Sequence, residues 1–93
     1  MTVVHVPGEE CGNIMLYALS TCGWCQKTKE LLDGLGVAYD YEYVDQLIGD
    51  AREKAIQKVE SFNPSGVFPT IILDKEKCIV GYREDKIREA LGK

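Results

Sequence analysis

The sequence predicts an α/β fold: a mixed four-stranded sheet flanked by three helices, with an optional further strand at the N-terminus. Three observations carry this. Short apolar runs alternate with segments of helical periodicity in the order β-α-β-α-β-β-α. The first two core runs are joined by a helix, so their strands lie parallel. The last two are joined by the polar stretch Asp74-Lys75-Glu76-Lys77, of hairpin length, so they run antiparallel. Residues 1–13 read as an N-terminal extension and 14–93 as a single domain.

In the extension, Val3, Val4 and Val6 suit a short strand, broken at Pro7-Gly8. Ile14 to Leu19 is a continuous apolar run, as expected of a strand buried on both faces. Ser20 or Thr21 then offers a helix cap. Trp24, Thr28, Leu31, Leu32 and Leu35 recur at helical spacing, and Gly34 and Gly36 end that helix. From Val37 to Asp45, Tyr39, Tyr41 and Tyr43 alternate with other residues, the period of a strand whose tyrosines face a core. Ile48, Arg52, Ala55, Ile56, Val59 and Phe62 outline a second amphipathic helix. Asp50 and Glu53 lie in its early turns and Lys58 in its last, and Asn63-Pro64 terminates it. Thr70 to Leu73 and Cys78 to Val80 are the last two strands. A closing helix, Asp85 to Leu91, turns Ile87, Ala90 and Leu91 inward.

Composition narrows the function classes. The chain has 93 residues, 45% of them hydrophobic and 28% charged, with a formal charge of −4. Neither the basic footprint of a nucleic-acid binder nor a polybasic membrane patch is present. No apolar run approaches the ~20 residues of a membrane span. Met1 to Gly8 lacks the basic start and apolar core of a signal peptide, so a reducing cytoplasm is the expected compartment. A monomer is expected.

In that setting a close cysteine pair reads as catalytic or metal-binding. Cys22-Gly23-Trp24-Cys25 stands where an apolar strand gives way to a helix. The thiolate is the attacking species in disulfide exchange, and helix N-termini favour it. Cys22, at the helix start, is therefore the expected nucleophile. Cys25, one turn deeper and more covered, is the expected resolving thiol. Gly23 lets a substrate backbone approach. Trp24 either offers an aromatic surface beside the sulfur or packs as a helix knob. Lys27 and Lys29 read first as a solvated face. Phe68-Pro69-Thr70 sets a proline before a strand; a cis bond there would bring the loop against the dithiol and free the Phe68 backbone to pair with an extended substrate.

Metal binding is the weaker reading. A closed zinc site needs four ligands, and no second pair at matching spacing accompanies Cys22 and Cys25. Cys78 reads as a small strand hydrophobe and Cys11 as a passive loop thiol. His5 reads as part of the N-terminal strand. No tightly bound cofactor is expected beyond the redox-active Cys22–Cys25 disulfide.

Together, Tyr17 to Cys25, Val44-Asp45, Phe68-Pro69-Thr70 and Gly81-Tyr82-Arg83 resemble the glutaredoxin and NrdH-redoxin branch of the thioredoxin superfamily, including short archaeal glutaredoxin-like proteins. The resemblance runs from about residue 14 to the C-terminus. It implies a thioredoxin-like fold, a cis Pro69, and a thiol–disulfide oxidoreductase acting on protein or small disulfides. It adds Gly81 and Tyr82 to a substrate groove with Gly23, Trp24, Phe68, Pro69 and Thr70.

The chain also departs from the pattern. Gly23-Trp24 replaces the usual Pro-Tyr, Ala18 to Thr21 carry no charge, and the glycine pair with a following acid near the last helix is missing. These departures disfavour glutathione as reductant. They point to a thioredoxin-reductase-type flavoprotein or another small thiol, coenzyme M if the chain groups with methanogen proteins. The alternative reading is a glutathione- or thiol-dependent [2Fe–2S] cluster.

Overall fold

Backbone pairing joins the apolar runs into one five-stranded sheet. The computed structural model describes residues 3–93, so Met1 and Thr2, part of the segment read for a signal peptide, lie outside the described residues. The elements are β1 (Val4–Val6), β2 (Ile14–Ala18), α1 (Gly23–Leu35), β3 (Tyr39–Tyr43), a 3-10 turn (Val44–Gln46), α2 (Gly49–Phe62), β4 (Thr70–Leu73), β5 (Lys77–Val80) and α3 (Glu84–Leu91). Across the sheet the order is β1-β3-β2-β4-β5. β2 and β3 are parallel, and β2–β4, β4–β5 and β1–β3 are antiparallel.

The period of two along β2 separates two apolar layers. Ile14, Leu16 and Ala18 share one cluster with Cys25 and Leu32 of α1 and with Ile87 and Leu91 of α3. Tyr17 and Ile72 share the other with Ala55 and Val59 of α2. Helices therefore cover both faces, and β2 is buried on each, as its unbroken apolar run predicts. The N-terminal segment belongs to the sheet: β1 pairs along β3, and Glu9 bridges Val37.

Several element limits differ from the sequence reading. Neither Ser20 nor Thr21 caps α1; Cys22 does, with its own sulfur. Gly34 lies inside α1, and Gly36, in the left-handed conformation at φ 70°, ends it. β3 stops at Tyr43, where the chain winds into the 3-10 turn. Ile48 is the N-cap of α2 and 85% exposed, so it leaves the apolar face. Lys58 falls just short of the last turn of α2, which holds no basic residue. β5 starts at Lys77 and α3 at Glu84, and Ala90 is exposed because only Ile87 and Leu91 reach the core.

Candidate active site

The dithiol sits just beyond the carboxyl end of β2. The chain turns through Leu19 to Thr21, and Cys22 adopts an extended conformation as the N-cap of α1. Its Sγ accepts the Cys25 N–H at 3.3 Å. Helix starts leave such N–H groups without intrahelical partners, so this sulfur occupies the place a serine or aspartate oxygen usually takes.

The two cysteines differ in surroundings. Cys22 is half-buried, whereas Cys25 is 1% exposed and part of the core. Burial pushes the Cys25 thiol up to about 12, reinforced by its hydrogen bond with Cys22 and by the negative charge of Asp45; the Leu19 N–H acts the other way. That N–H donates to the Cys25 Sγ at 3.5 Å. Both are free thiols here. A more open sulfur thus stands above a covered one, one helical turn apart.

Trp24 resolves in favour of an aromatic surface. It is 58% exposed, and its ring stacks on Tyr82 with centroids 5.7 Å apart and planes 27° apart. Lys27 lies over the Trp24 ring at 5.2 Å. Lys29 is paired with Asp33 at 3.2 Å and lies over Tyr41. The Phe68–Pro69 bond is cis, and the Pro69 carbonyl accepts the Gly81 N–H at 2.8 Å. Trp24, Val67, Phe68, Pro69, Gly81 and Tyr82 line a groove of about 250 Å³. No charged side chain lines it. Gly23 is exposed, with open space where a side chain would project. Of the residues read from the sequence as the groove, Thr70 lies behind it: it is buried, and its hydroxyl donates to the Val67 carbonyl at 2.7 Å.

Three participants had no site role in the sequence reading. Val67, 50% exposed, forms part of the groove wall. Asn63 is buried, and its amide donates to the Val67 carbonyl at 3.1 Å and to the Thr70 hydroxyl at 3.3 Å, while its Oδ1 accepts the Ser65 N–H at 3.2 Å. It braces the loop that presents Phe68 and Pro69. An asparagine before Pro64 and Ser65 is a turn signal that could have marked it. Asp45 accepts the Ser20 N–H at 2.9 Å and the Ser20 hydroxyl, and these bonds hold its carboxyl below the usual carboxylate range.

The other cysteines stand apart from this cluster. Cys11 is half-buried against the core, and the Cys78 thiol donates to the Phe62 carbonyl at 3.2 Å. His5 is paired with Asp40 at 2.7 Å across the β1–β3 ladder. Among the described residues, no group of three or more His, Cys, Asp or Glu is placed to hold a metal, and no helix is long and apolar enough to cross a membrane.

Comparison with known proteins agrees with this geometry. The glutaredoxin family model matches residues 14–78. The crystal structure of a glutaredoxin from Methanosarcina mazei is similar, with 52% identity, a TM-score of 0.93, and coverage of 100% of this chain and 90% of that one. The methanoredoxin of Methanosarcina acetivorans is 53% identical with a TM-score of 0.91, over 92% of this chain and 90% of the other. An uncharacterized glutaredoxin-like protein of the Clostridium pasteurianum rubredoxin operon is 31% identical over 86% of this chain and 99% of its own length. The matched span takes in the dithiol, the parallel strand pair and the cis-proline loop, and so the chain belongs to the glutaredoxin family of the thioredoxin superfamily.

Proposed function

We propose that the chain reduces protein or low-molecular-weight disulfides through a dithiol cycle. The observation that carries this is the asymmetry of the pair, a half-buried Cys22 at a helix start and a buried, protonated Cys25 beneath it. The Cys22 thiolate attacks one sulfur of the substrate disulfide, forms a mixed disulfide and expels the first thiolate. Cys25 then loses its proton and attacks the Cys22 sulfur. The intramolecular disulfide forms, the second substrate thiol leaves, and two electrons have moved from protein to substrate. The groove from Trp24 to Tyr82 receives the apolar flanks of the substrate, whose backbone pairs beside Phe68.

The reductant in this reading is a thioredoxin-reductase-type flavoprotein or a small thiol such as coenzyme M, in preference to glutathione. The first turn of α3 beside the groove carries Glu84 and Asp85, which repel a carboxylate seeking that helix end. The protein acts as a monomer in a reducing cytoplasm, with no resident cofactor.

Disulfide reduction by variants tests the cycle. Cys22→Ser abolishes turnover. Cys25→Ser accumulates a mixed disulfide at Cys22, seen by intact mass under non-reducing conditions. A Cys25→Ser protein that turns over like the wild type overturns the dithiol mechanism. Running the wild type with NADPH and thioredoxin reductase, with glutathione and with coenzyme M assigns the reductant. A visible absorption band after anaerobic addition of iron and sulfide would instead favour the cluster alternative.

A further inference from the structure

We propose that Asp45 is the positioning residue of the resolving step, clamping the turn at Ser20 so that the Leu19 N–H stays aimed at the Cys25 sulfur. The proposal rests on the dithiol reading above and adds what supports its second half.

The placement follows from the register. Ala18 of β2 lies opposite Tyr43 of β3, at the ends of parallel strands. Two residues beyond each, Ser20 and Asp45 meet. The carboxylate takes the Ser20 N–H on one oxygen, at 2.9 Å, and the Ser20 hydroxyl on the other. The residue before Ser20 touches both cysteines through its backbone. The Leu19 carbonyl accepts the Cys22 N–H at 3.2 Å, and the Leu19 N–H donates to the Cys25 Sγ at 3.5 Å. One exposed carboxylate thus fixes a turn whose peptide groups face the nucleophile's backbone on one side and the resolving sulfur on the other.

Chemistry makes this contact matter at one moment. In the mixed disulfide, Cys25 must give up its proton to solvent and present a thiolate in the core. Its electron pair forms the bond to the Cys22 sulfur, and the substrate thiolate leaves with the pair of the broken bond. The groups facing Cys25 are the Cys22 sulfur from the helix cap, the Leu19 N–H from the turn and the Asp45 charge from the 3-10 turn. The pinned N–H favours the thiolate, and the Asp45 charge opposes it. Positioning and charge therefore act in opposite senses, and substitution separates them. Asn keeps an acceptor for Ser20 without the charge; Ala removes both.

Burst kinetics with a chromogenic aromatic disulfide read the two half-steps. In a Cys11→Ser, Cys78→Ala background, attack by Cys22 releases one coloured thiolate and resolution by Cys25 releases a second. We expect Asp45→Ala to slow the second release about tenfold relative to Asp45→Asn, less than the ~100-fold that outright misplacement of a reacting group can cost. The first release, which Leu19 touches only through the Cys22 N–H, slows less than the second in both. Ser20→Ala, which keeps the backbone bond, falls between them and serves if Asp45→Ala does not fold by circular dichroism. Equal second-release rates in the wild type and all three variants overturn the proposal, as does a first release slowed as much as the second. A wild type that releases only one thiolate overturns the dithiol reading and this proposal with it.

Discussion

Cys25 shows how far burial, helped by the neighbouring Cys22 and Asp45, changes a side chain. An unconstrained cysteine titrates near 9.0, and burial, with smaller help from the Cys22 hydrogen bond and the Asp45 charge, moves this thiol to about 12. Below pH 9 folded and unfolded chains both hold the proton. Between about 9 and 12 the unfolded chain releases it while the folded chain keeps it. The folded state then binds more protons, and its stability falls as pH rises. The reduced protein should therefore lose denaturant resistance across that window, and Cys25→Ser should lose less. Parallel curves for the two proteins would remove burial as the cause. The two cysteines were legible as a pair, one at the helix start and one a turn deeper, because two cysteines three residues apart at a strand–helix junction are local information. Asn63 and Asp45 were read only as a helix end and a strand end. Their roles depend on partners that folding brings to them, at Val67, Thr70 and Ser20.

At the scale of elements, capping decides where the helices start. The sequence offered Ser20 and Thr21, the residue types that usually cap. The structure uses Cys22, because the Leu19 turn carries the chain two residues further before it can wind. That shift is what sets the sulfur among the helix-start N–H groups. The segment after β1 has a comparable close fit. A Cβ added at Gly8 would lie 2.6 Å from the Gly36 carbonyl oxygen and 2.8 Å from the Ala38 nitrogen, both backbone atoms that cannot swing aside. Gly8→Ala should cost about 1–3 kcal/mol in urea unfolding, the usual range for overpacking. Disulfide reduction should be unaffected, since this contact lies at the start of β3 and the dithiol beyond the end of β2. Unchanged stability would mean that the segment packs loosely. Element order and strand directions followed from periodicity and connection length. Ile48 was misassigned because it caps α2 instead of lying within it, and Ala90 because a helical wheel gives spacing but not which side a helix presents to the sheet.

Across the whole molecule, a formal charge of −4 surrounds a groove lined by no charged side chain. Glutathione disulfide is itself anionic, so its encounter with the protein should be repulsive. Its reduction should speed up as salt rises from ~10 to ~150 mM, because screening weakens like-charge repulsion. A neutral disulfide such as hydroxyethyl disulfide should show no such change. A rate that falls with salt would mean that cations near the groove, Lys27 over the Trp24 ring first, govern the encounter. By itself, the sequence determined the fold class, the pairing directions of the core strands and the position of the cysteine pair at the strand–helix junction. Each rests on the hydrophobic period, connection lengths and residue spacing, which are properties of neighbours along the chain. Tertiary structure alone decided that the N-terminal segment is a fifth strand, that Trp24 stacks on Tyr82, that Thr70 lies behind the groove and that Asp45 grips Ser20. Apart from the Thr70–Val67 bond, these are contacts between residues far apart in sequence, and only the packing of both layers against the sheet brings them together.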